Sequence, residues 1–387
     1  MEETEKLTLW LEVDLNAVAK NLSRIKAEMP GQKIMAVVKA NGYGLGMVEL
    51  ARFLEHQVFY LGVSSMEEGI MLRKEGIRAP ILILSPYFDP FSVIQYNLTP
   101  TVDKKEDLLS LHGTAVLLGR GISYHLKINT GMNRFGIRLQ EIPSWIPLIR
   151  EKRELTLEGV YSHFAVTLAQ NASFAAHQLK IFQESLSTFK KEGLEIPLVH
   201  MANSEMAIDY PEARFNMVRI GNALYGPVAT KKRIGLARVY QLKGRVLEII
   251  QVPKGEYVGY GASFRANQRM RLAVLPYGTK DGYGWIRSRV EGNWREKVKG
   301  FLRLFYHAFF PPPTFFYQGR PLKVVGKPFM NFVLVDVTRE EEVKRGSILL
   351  IKPSSILTVS EQVERYYIGK RKEEENELYR ERGKVQV

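Results

Sequence analysis

Short apolar runs separated by amphipathic stretches fill about the first 225 residues of the chain. IMAVVKA (34–40), FYLGVS (59–64), PILILS (80–85), LTPTV (98–102), SYHLKIN (123–129), LEGVYSHFA (157–165), PLVHMANS (197–204) and FNMVRIG (215–221) read as strands. Between them, SMEEGIMLRKEG (65–76) and FAAHQLKIFQESLSTFKKEG (174–193) read as helices; the second repeats apolar residues at i, i+3, i+4 and i+7 and stops at a glycine. Eight strands alternating with helices predict a parallel (β/α)8 barrel. After about residue 230 the pattern changes. ARVYQLKGRVLEIIQVPKGEYVGYG (237–261), MRLAVLPYG (270–278), PLKVVGKPFMNFVLVDVT (321–338) and GSILLIKP (346–353) are β-rich and bounded by Gly and Pro, with no helices between them. The expected fold is α/β + β: an N-terminal (β/α)8 TIM-like barrel over residues 1–230 and a C-terminal, mainly antiparallel β domain over 231–387.

Composition narrows the function classes. With 387 residues, 45% hydrophobic and 25% charged, the chain can bury a sizeable core. It has no cysteine, which removes disulfides, thiol nucleophiles and thiolate metal sites, and no metal is expected. MEETEKLTLWLEVDL at the start is acidic before it is apolar, the reverse of a secretory signal. FLRLFYHAFF (301–310) is broken by Arg303 and His307 and falls short of the roughly 20 residues that span a bilayer. The formal net charge is +14, but the basic residues are scattered among acidic ones, and even KRKEEENELYRERGK (370–384), read as a solvated helix or tail, is mixed in sign. A cytoplasmic protein is expected, with neither nucleic acid nor a membrane among its partners.

In such a barrel, chemistry sits where strands end. Lys39 ends the first predicted strand and runs at once into Asn-Gly-Tyr-Gly-Leu-Gly. Other strand ends carry Arg134 in INTGMNRFG, His163 in YSHFA, Asn203-Ser204 in HMANS, and Arg219 with Gly221 in VRIGNALYG. Each has a local alternative: a lysine that snorkels to water, a satisfied core histidine, a serine helix cap, a surface ion-pair arginine. Their shared placement at strand ends weakens all of those alternatives together.

These motifs resemble those of the fold-type III pyridoxal-phosphate enzymes, and specifically the alanine racemase family. AVVKANGYGLG is similar to that family's lysine-bearing signature; KINTGMNRFG, YSHFA, HMANS, VRIGNALYG, VGYGASF and PFMNFVLVDVT follow in the family's order over about 340 residues. The resemblance implies a pyridoxal 5'-phosphate cofactor held by Lys39, and a racemase that moves a Cα proton with two bases, Lys39 and Tyr260. A tyrosine ionises only near about pH 10 in water, so this second base would need cationic or hydrogen-bonding support, for which His163 is the matching residue. Arg219 matches the residue facing the pyridine nitrogen, with His200 either orienting it or serving as an ordinary core histidine. Tyr43, Asn203, Ser204, Gly221 and Asn222 match phosphate and cofactor contacts, while Arg134 and Met330 match contacts to the substrate carboxylate. Lys127 stands where many members carry a carbamylated lysine. A homodimer sharing its active sites is implied, with alanine as substrate and D-alanine supplied to peptidoglycan.

The pattern also departs from the family. Asn129 replaces a usual Asp, Thr279 a usual Tyr, and Phe329 and Asn331 flank Met330 in place of Cys and Asp. Substrate identity therefore stays open: a racemase for serine or basic amino acids is the first alternative, then a decarboxylase on the same fold or a non-catalytic cofactor carrier. The segment 293–320 is longer than its family counterpart and rich in large apolar residues, which fits either extra packing on the β domain or an added oligomer contact.

Overall fold

The computed structural model describes residues 3–284, 294–309 and 314–369; the charged run at 370–384 lies outside them. The described chain divides into two compact units. One is Leu15–Val239; the other joins the residues through Asp14 to those from Tyr240 onward.

Strand β1 (Leu9–Asp14) belongs to the second unit. The next eight strands build the first: β2 (Lys33–Val37), β3 (Tyr60–Val63), β4 (Ile81–Ile83), β5 (Thr101–Val102), β6 (Ile122–Lys127), β7 (Leu155–Tyr161), β8 (Leu198–His200) and β9 (Met217–Ile220). They form two parallel runs, β4-β3-β2-β9 and β5-β6-β7-β8. Thr99 closes one seam, donating to Ile81 O (2.8 Å) and accepting from Ile83 N (2.9 Å); Arg219 N–H to Ala202 O (3.1 Å) closes the other. The eight strands therefore complete the expected barrel. β3, β4 and β9 are buried at every residue, as parallel strands covered on both faces must be. Helix Leu15–Glu28 turns Leu15, Val18, Leu22 and Ile25 inward at helical spacing. Ser65 starts another helix by accepting the Glu68 N–H, and Asp89 caps a third ahead of Pro90.

The strands are shorter than their apolar runs. β2 stops at Val37, β8 at His200 and β9 at Ile220, so Lys39, Asn203, Ser204 and Gly221 lie just beyond strand ends. That is where a barrel's loops can carry chemistry.

In the second unit, β1 joins ten further strands, mainly antiparallel: β10 (Tyr240–Arg245), β11 (Glu248–Val252), β12 (Tyr257–Val258), β13 (Phe264–Arg265), β14 (Met270–Leu275), β15 (Phe315–Tyr317), β16 (Arg320–Val324), β17 (Val333–Asp336), β18 (Ile348–Ile351) and β19 (Glu364–Ile368). The order is β11-β14-β17-β16-β15-β18-β10-β1-β19, with β12 and β13 forming a separate ribbon. Trp10 sits opposite Lys243, and Trp10, Leu11 and Val13 are buried. Residues 9–14 thus lie in the β unit, not with the barrel residues among which the sequence grouped them. Their partners are more than 200 residues away, beyond the reach of any local pattern. The expectation that no helix lies between the β-rich C-terminal segments is overturned at one place: within the long 293–320 segment, between β14 and β15, Trp294–Phe309 is a helix.

Candidate active site

Lys39 owes its position to an unusual turn. Ala40, Asn41, Gly42 and Tyr43 all have positive φ, between 51° and 62°. L-residues seldom enter that region except singly, so this left-handed run needs support. It gets it from both sides. Gly42 N–H bonds Val38 O at 2.8 Å and Asn41 Oδ1 accepts the Met47 N–H at 2.9 Å. From the first turn of the helix after β3, the Glu68 carboxylate accepts the Ala40 N–H at 2.6 Å while holding the Ser64 N–H at 2.7 Å and its hydroxyl at 2.8 Å. The sequence reading missed Glu68. The available signal was its place in Ser-Ser-Met-Glu-Glu, directly after a barrel strand.

The turn faces a cavity of about 390 Å³. Lys39, Tyr43, Lys127, Arg134, His163, Asn203, Ser204, Arg219, Gly221 and Asn222 all line it, so the barrel brings together every one of its sequence-predicted site residues. Four cationic side chains converge there, with Glu205 as the one acidic lining residue. The electrostatic cost is visible in the amines. Burial, then Arg134 and Arg219, hold the Lys39 amine below its ordinary pKa. Burial, reinforced by Arg219 and Arg134, brings Lys127 down to about 7. Lys127 reaches only a long 3.4 Å bond to Leu84 O and lies over the Phe135 and Tyr161 rings. A cavity that strains its own cations in this way favours an anion.

Arg219 is fixed by four acceptors. Its Nη2 shares its two hydrogens among Ser162 O (2.8 Å), Met201 O (2.9 Å) and His163 Nδ1 (2.9 Å), one of them bifurcated, and its Nη1 donates to His200 Nδ1 (2.8 Å). A guanidinium only donates, so both histidines accept on Nδ1 and carry their proton on Nε2. The direction then propagates. His200 Nε2 donates to His125 Nδ1 at 2.9 Å, leaving the His125 proton on Nε2, 4.0 Å from Glu158. All three imidazoles are neutral: burial first, then Arg219, keeps each pKa below the usual range, His125 at about 3. Arg219 itself falls only to about 10 through burial and stays charged. His200, stacked on Tyr161 at 4.8 Å, therefore orients Arg219 from behind. Gly159 makes room for His125, because a Cβ there would come within 2.6 Å of that ring.

Opposite this network, Ser204 Oγ accepts from Gly221 N (3.0 Å) and Ala223 N (3.3 Å), which frees its own proton to donate. The Gly221 N–H is thus engaged within the protein. Its contribution is clearance: a Cβ on Gly221 would lie 2.2 Å from the Tyr43 hydroxyl. Burial raises the Tyr43 pKa to about 12, so that hydroxyl is a donor. The Asn203 side chain caps the following helix through the Met206 N–H at 3.0 Å, so the local alternative of Ser204 as the helix cap does not hold. Asn129, in place of an Asp, organises its loop by accepting the Gly131 and Asn133 N–H groups.

Tyr260 and Met330 belong to the other unit. Both are largely exposed, at 66% and 65%, and the Tyr260 ring packs against Phe329 with centroids 4.9 Å apart. Thr279 N–H bonds Phe329 O at 3.1 Å, and Gly278 admits the Met330 carbonyl where a Cβ would be 2.1 Å away. Three of the departing residues, Thr279, Phe329 and Asn331, are therefore grouped around Tyr260 and Met330.

The barrel and its cationic cavity define an enzyme class that holds an anionic cofactor at strand ends. The comparisons with known proteins give the class its family. A model described as "Alanine racemase, N-terminal domain" matches residues 13–228, and one described as "Alanine racemase, C-terminal domain" matches 239–366. The chain belongs to the alanine racemase family. It is 33% identical over 362 residues to alanine racemase 2 of Bacillus subtilis (strain 168), covering 89% of this chain and 85% of the relative. It is 32% identical to the alanine racemase of Methanococcus maripaludis, covering 89% and 88%. Its fold is similar to that of the solved alanine racemase of Clostridium difficile 630, with a TM-score of 0.81, 26% identity and 94% and 96% of the two chains covered. It is likewise similar to the Bacillus anthracis enzyme solved with L-Ala-P bound, with a TM-score of 0.77, 29% identity and 94% and 95% covered. This family is pyridoxal-phosphate-dependent, and the cavity suits that group: an amine with a lowered pKa, two hydroxyl donors free for a phosphate, and a fixed guanidinium.

Proposed function

We propose that this protein is a pyridoxal-phosphate-dependent racemase that interconverts L- and D-alanine in the cytoplasm, as a homodimer, supplying D-alanine for peptidoglycan. The observation that carries the reading is the convergence of Lys39, held below its ordinary pKa, and a locked Arg219 on one cation-rich cavity. Pyridoxal phosphate, when bound, supplies an electron sink that spreads the negative charge left on Cα.

Lys39 would hold the cofactor, and the Tyr43 and Ser204 hydroxyls with the Asn222 N–H would hold its phosphate. Arg219 would donate to the ring nitrogen; because a guanidinium only donates, it would disfavour protonation of that nitrogen, tempering the sink and favouring proton exchange over side reactions. Arg134, with the Met330 backbone of a second subunit, would orient the substrate carboxylate. The Lys39 amine takes or returns the Cα proton on one face and the Tyr260 hydroxyl does so on the other, so each turnover exchanges their protonation states. His163 accepts from Arg219 on Nδ1, so any support it gives Tyr260 comes from its Nε2–H as a neutral donor. Lys127 would carry a carbamate beside Arg134, turning a repelling cation into a partner anion.

The grouping of Thr279, Phe329 and Asn331 around Tyr260 favours one second reading, a broader racemase. Incubating L-alanine, L-serine, L-lysine and L-arginine with the enzyme in deuterium oxide, followed by chiral analysis, separates the possibilities. Racemisation of L-alanine with Cα deuterium exchange supports the proposal, and faster turnover of another substrate supports the broader enzyme. Carbon dioxide release, or bound cofactor with neither reaction, overturns both. Tyr260→Phe should stop turnover while leaving cofactor absorbance intact.

A further inference from the structure

From sequence, the segment 293–320 is expected to add either packing on the β domain or an oligomer contact, and its apolar run falls short of a membrane span; no helix among the described residues is long and apolar enough to cross a membrane. The structure adds what the faces of helix Trp294–Phe309 do. Val298, Phe301, Leu302, Phe305 and Tyr306 recur at i, i+3, i+4, i+7 and i+8, one side of a helix, and all are exposed; Phe301 stands at 65% and Leu302 at 58%. The Phe301 and Phe305 rings stack 6.5 Å apart, so the stripe is continuous. A buried helix would turn such a stripe inward. Here it faces out, on a helix about 24 Å long at 1.5 Å per residue.

Charge decides what fits it. The helix sequence contains Arg295, Lys297, Lys299 and Arg303 against Glu296 alone, within a chain of net charge +14. Lys297 is exposed at the margin of the stripe. Pairing the stripe with the same stripe on a second copy would bring two basic helices together and oppose the apolar gain. A bilayer bearing anionic headgroups satisfies both properties at once: acyl chains receive the aromatic stripe, and the headgroups complement the helix's basic composition, with Lys297 exposed at its margin.

We propose that helix Trp294–Phe309 is an in-plane anchor that docks this protein on an anionic phospholipid surface. The anchor does not depend on the reaction assigned to the barrel. It would add a peripheral surface contact to a chain whose sequence predicts no membrane partner.

Flotation of the full-length holoenzyme with vesicles tests it, comparing phosphatidylglycerol mixed with phosphatidylcholine against phosphatidylcholine alone. Binding to the anionic vesicles should exceed binding to the neutral ones by at least about tenfold and fall by a similar factor in high salt. Phe301→Ser with Leu302→Ser should weaken anionic binding about tenfold, with far-UV circular dichroism and thermal midpoint unchanged. Failure of the wild type to float with anionic vesicles overturns the proposal, as does undiminished flotation of the double variant. So does a smaller assembly for that variant by sedimentation velocity without lipid, which would assign the stripe to a second copy.

Discussion

Glu68 is the residue whose importance the structure adds. Its carboxylate joins the Ala40 and Ser64 backbones, so the strained turn behind Lys39 is tied to the end of β3. Its charge also raises the Lys39 pKa, against the lowering by burial. Glu68→Gln keeps the shape but loses the charge and one acceptor oxygen. It should lower kcat about 10- to 100-fold through misplacement of the amine. The acidic limb of the pH profile should move to lower pH, because the amine then loses its proton more readily. An unchanged limb would leave Glu68 with a purely structural role. Lys127 gives a second pH signature. A neutral amine is the form that adds carbon dioxide, so carbamate formation should rise as pH climbs through about 7, followed by 13C NMR with labelled bicarbonate. The unmodified amine has the opposite sign from a paired lysine. Its folded pKa lies below its unfolded one, so the unfolded chain binds more protons between about 7 and 10.5, and stability rises with pH across that window. Urea unfolding with and without bicarbonate should show that rise only in the unmodified protein.

At the scale of elements, the left-handed turn is the sharpest case. Gly42 has φ +62°, and a Cβ there would sit 2.7 Å from Leu50 Cδ1 and 3.3 Å from Met47 N. Gly42→Ala should therefore destabilise the protein by about 2–4 kcal/mol, combining left-handed strain with overpacking, measurable by urea denaturation. Cofactor loading should fall with it. Lys39 running through Ala40 into Asn-Gly-Tyr-Gly-Leu-Gly was legible as a strand end followed by a flexible turn, and the eight alternating strands as a barrel. That Ala40, Asn41 and Tyr43 also turn left-handed was not legible, because their intrinsic preferences argue against it and only tertiary bonds enforce it. β1 was hidden for a related reason, since its sheet partners come from the far end of the chain. In the segment 293–320 the abundance of large apolar residues was legible, but richness alone does not say whether a helix turns them inward or outward. The strand-end residues were legible as a group, whereas the histidine tautomers follow only from which atoms Arg219 reaches.

For the whole molecule, the question is how the two bases meet. Lys39 lines the barrel cavity, while Tyr260 and Met330 form an exposed cluster on the β unit with Phe329. A two-fold dimer that pairs each cavity with the other chain's Tyr260 makes a prediction independent of any single variant's activity. Lys39→Ala and Tyr260→Phe should each abolish racemisation alone. Unfolded, mixed in equal amounts and refolded with cofactor, they should form heterodimers in which one site has lost both bases and the other keeps both. Random pairing makes half the dimers mixed, each with one intact site of two, so activity should return to about a quarter of wild type. If Lys39 and Tyr260 of the same chain formed each site, no mixture could contain an intact one, and activity would stay at the level of the single variants. Refolding wild type with wild type sets the recovery scale. Analytical ultracentrifugation of the mixture shows whether dimers have formed, so a silent mixture of true dimers would place both bases of each site on one chain.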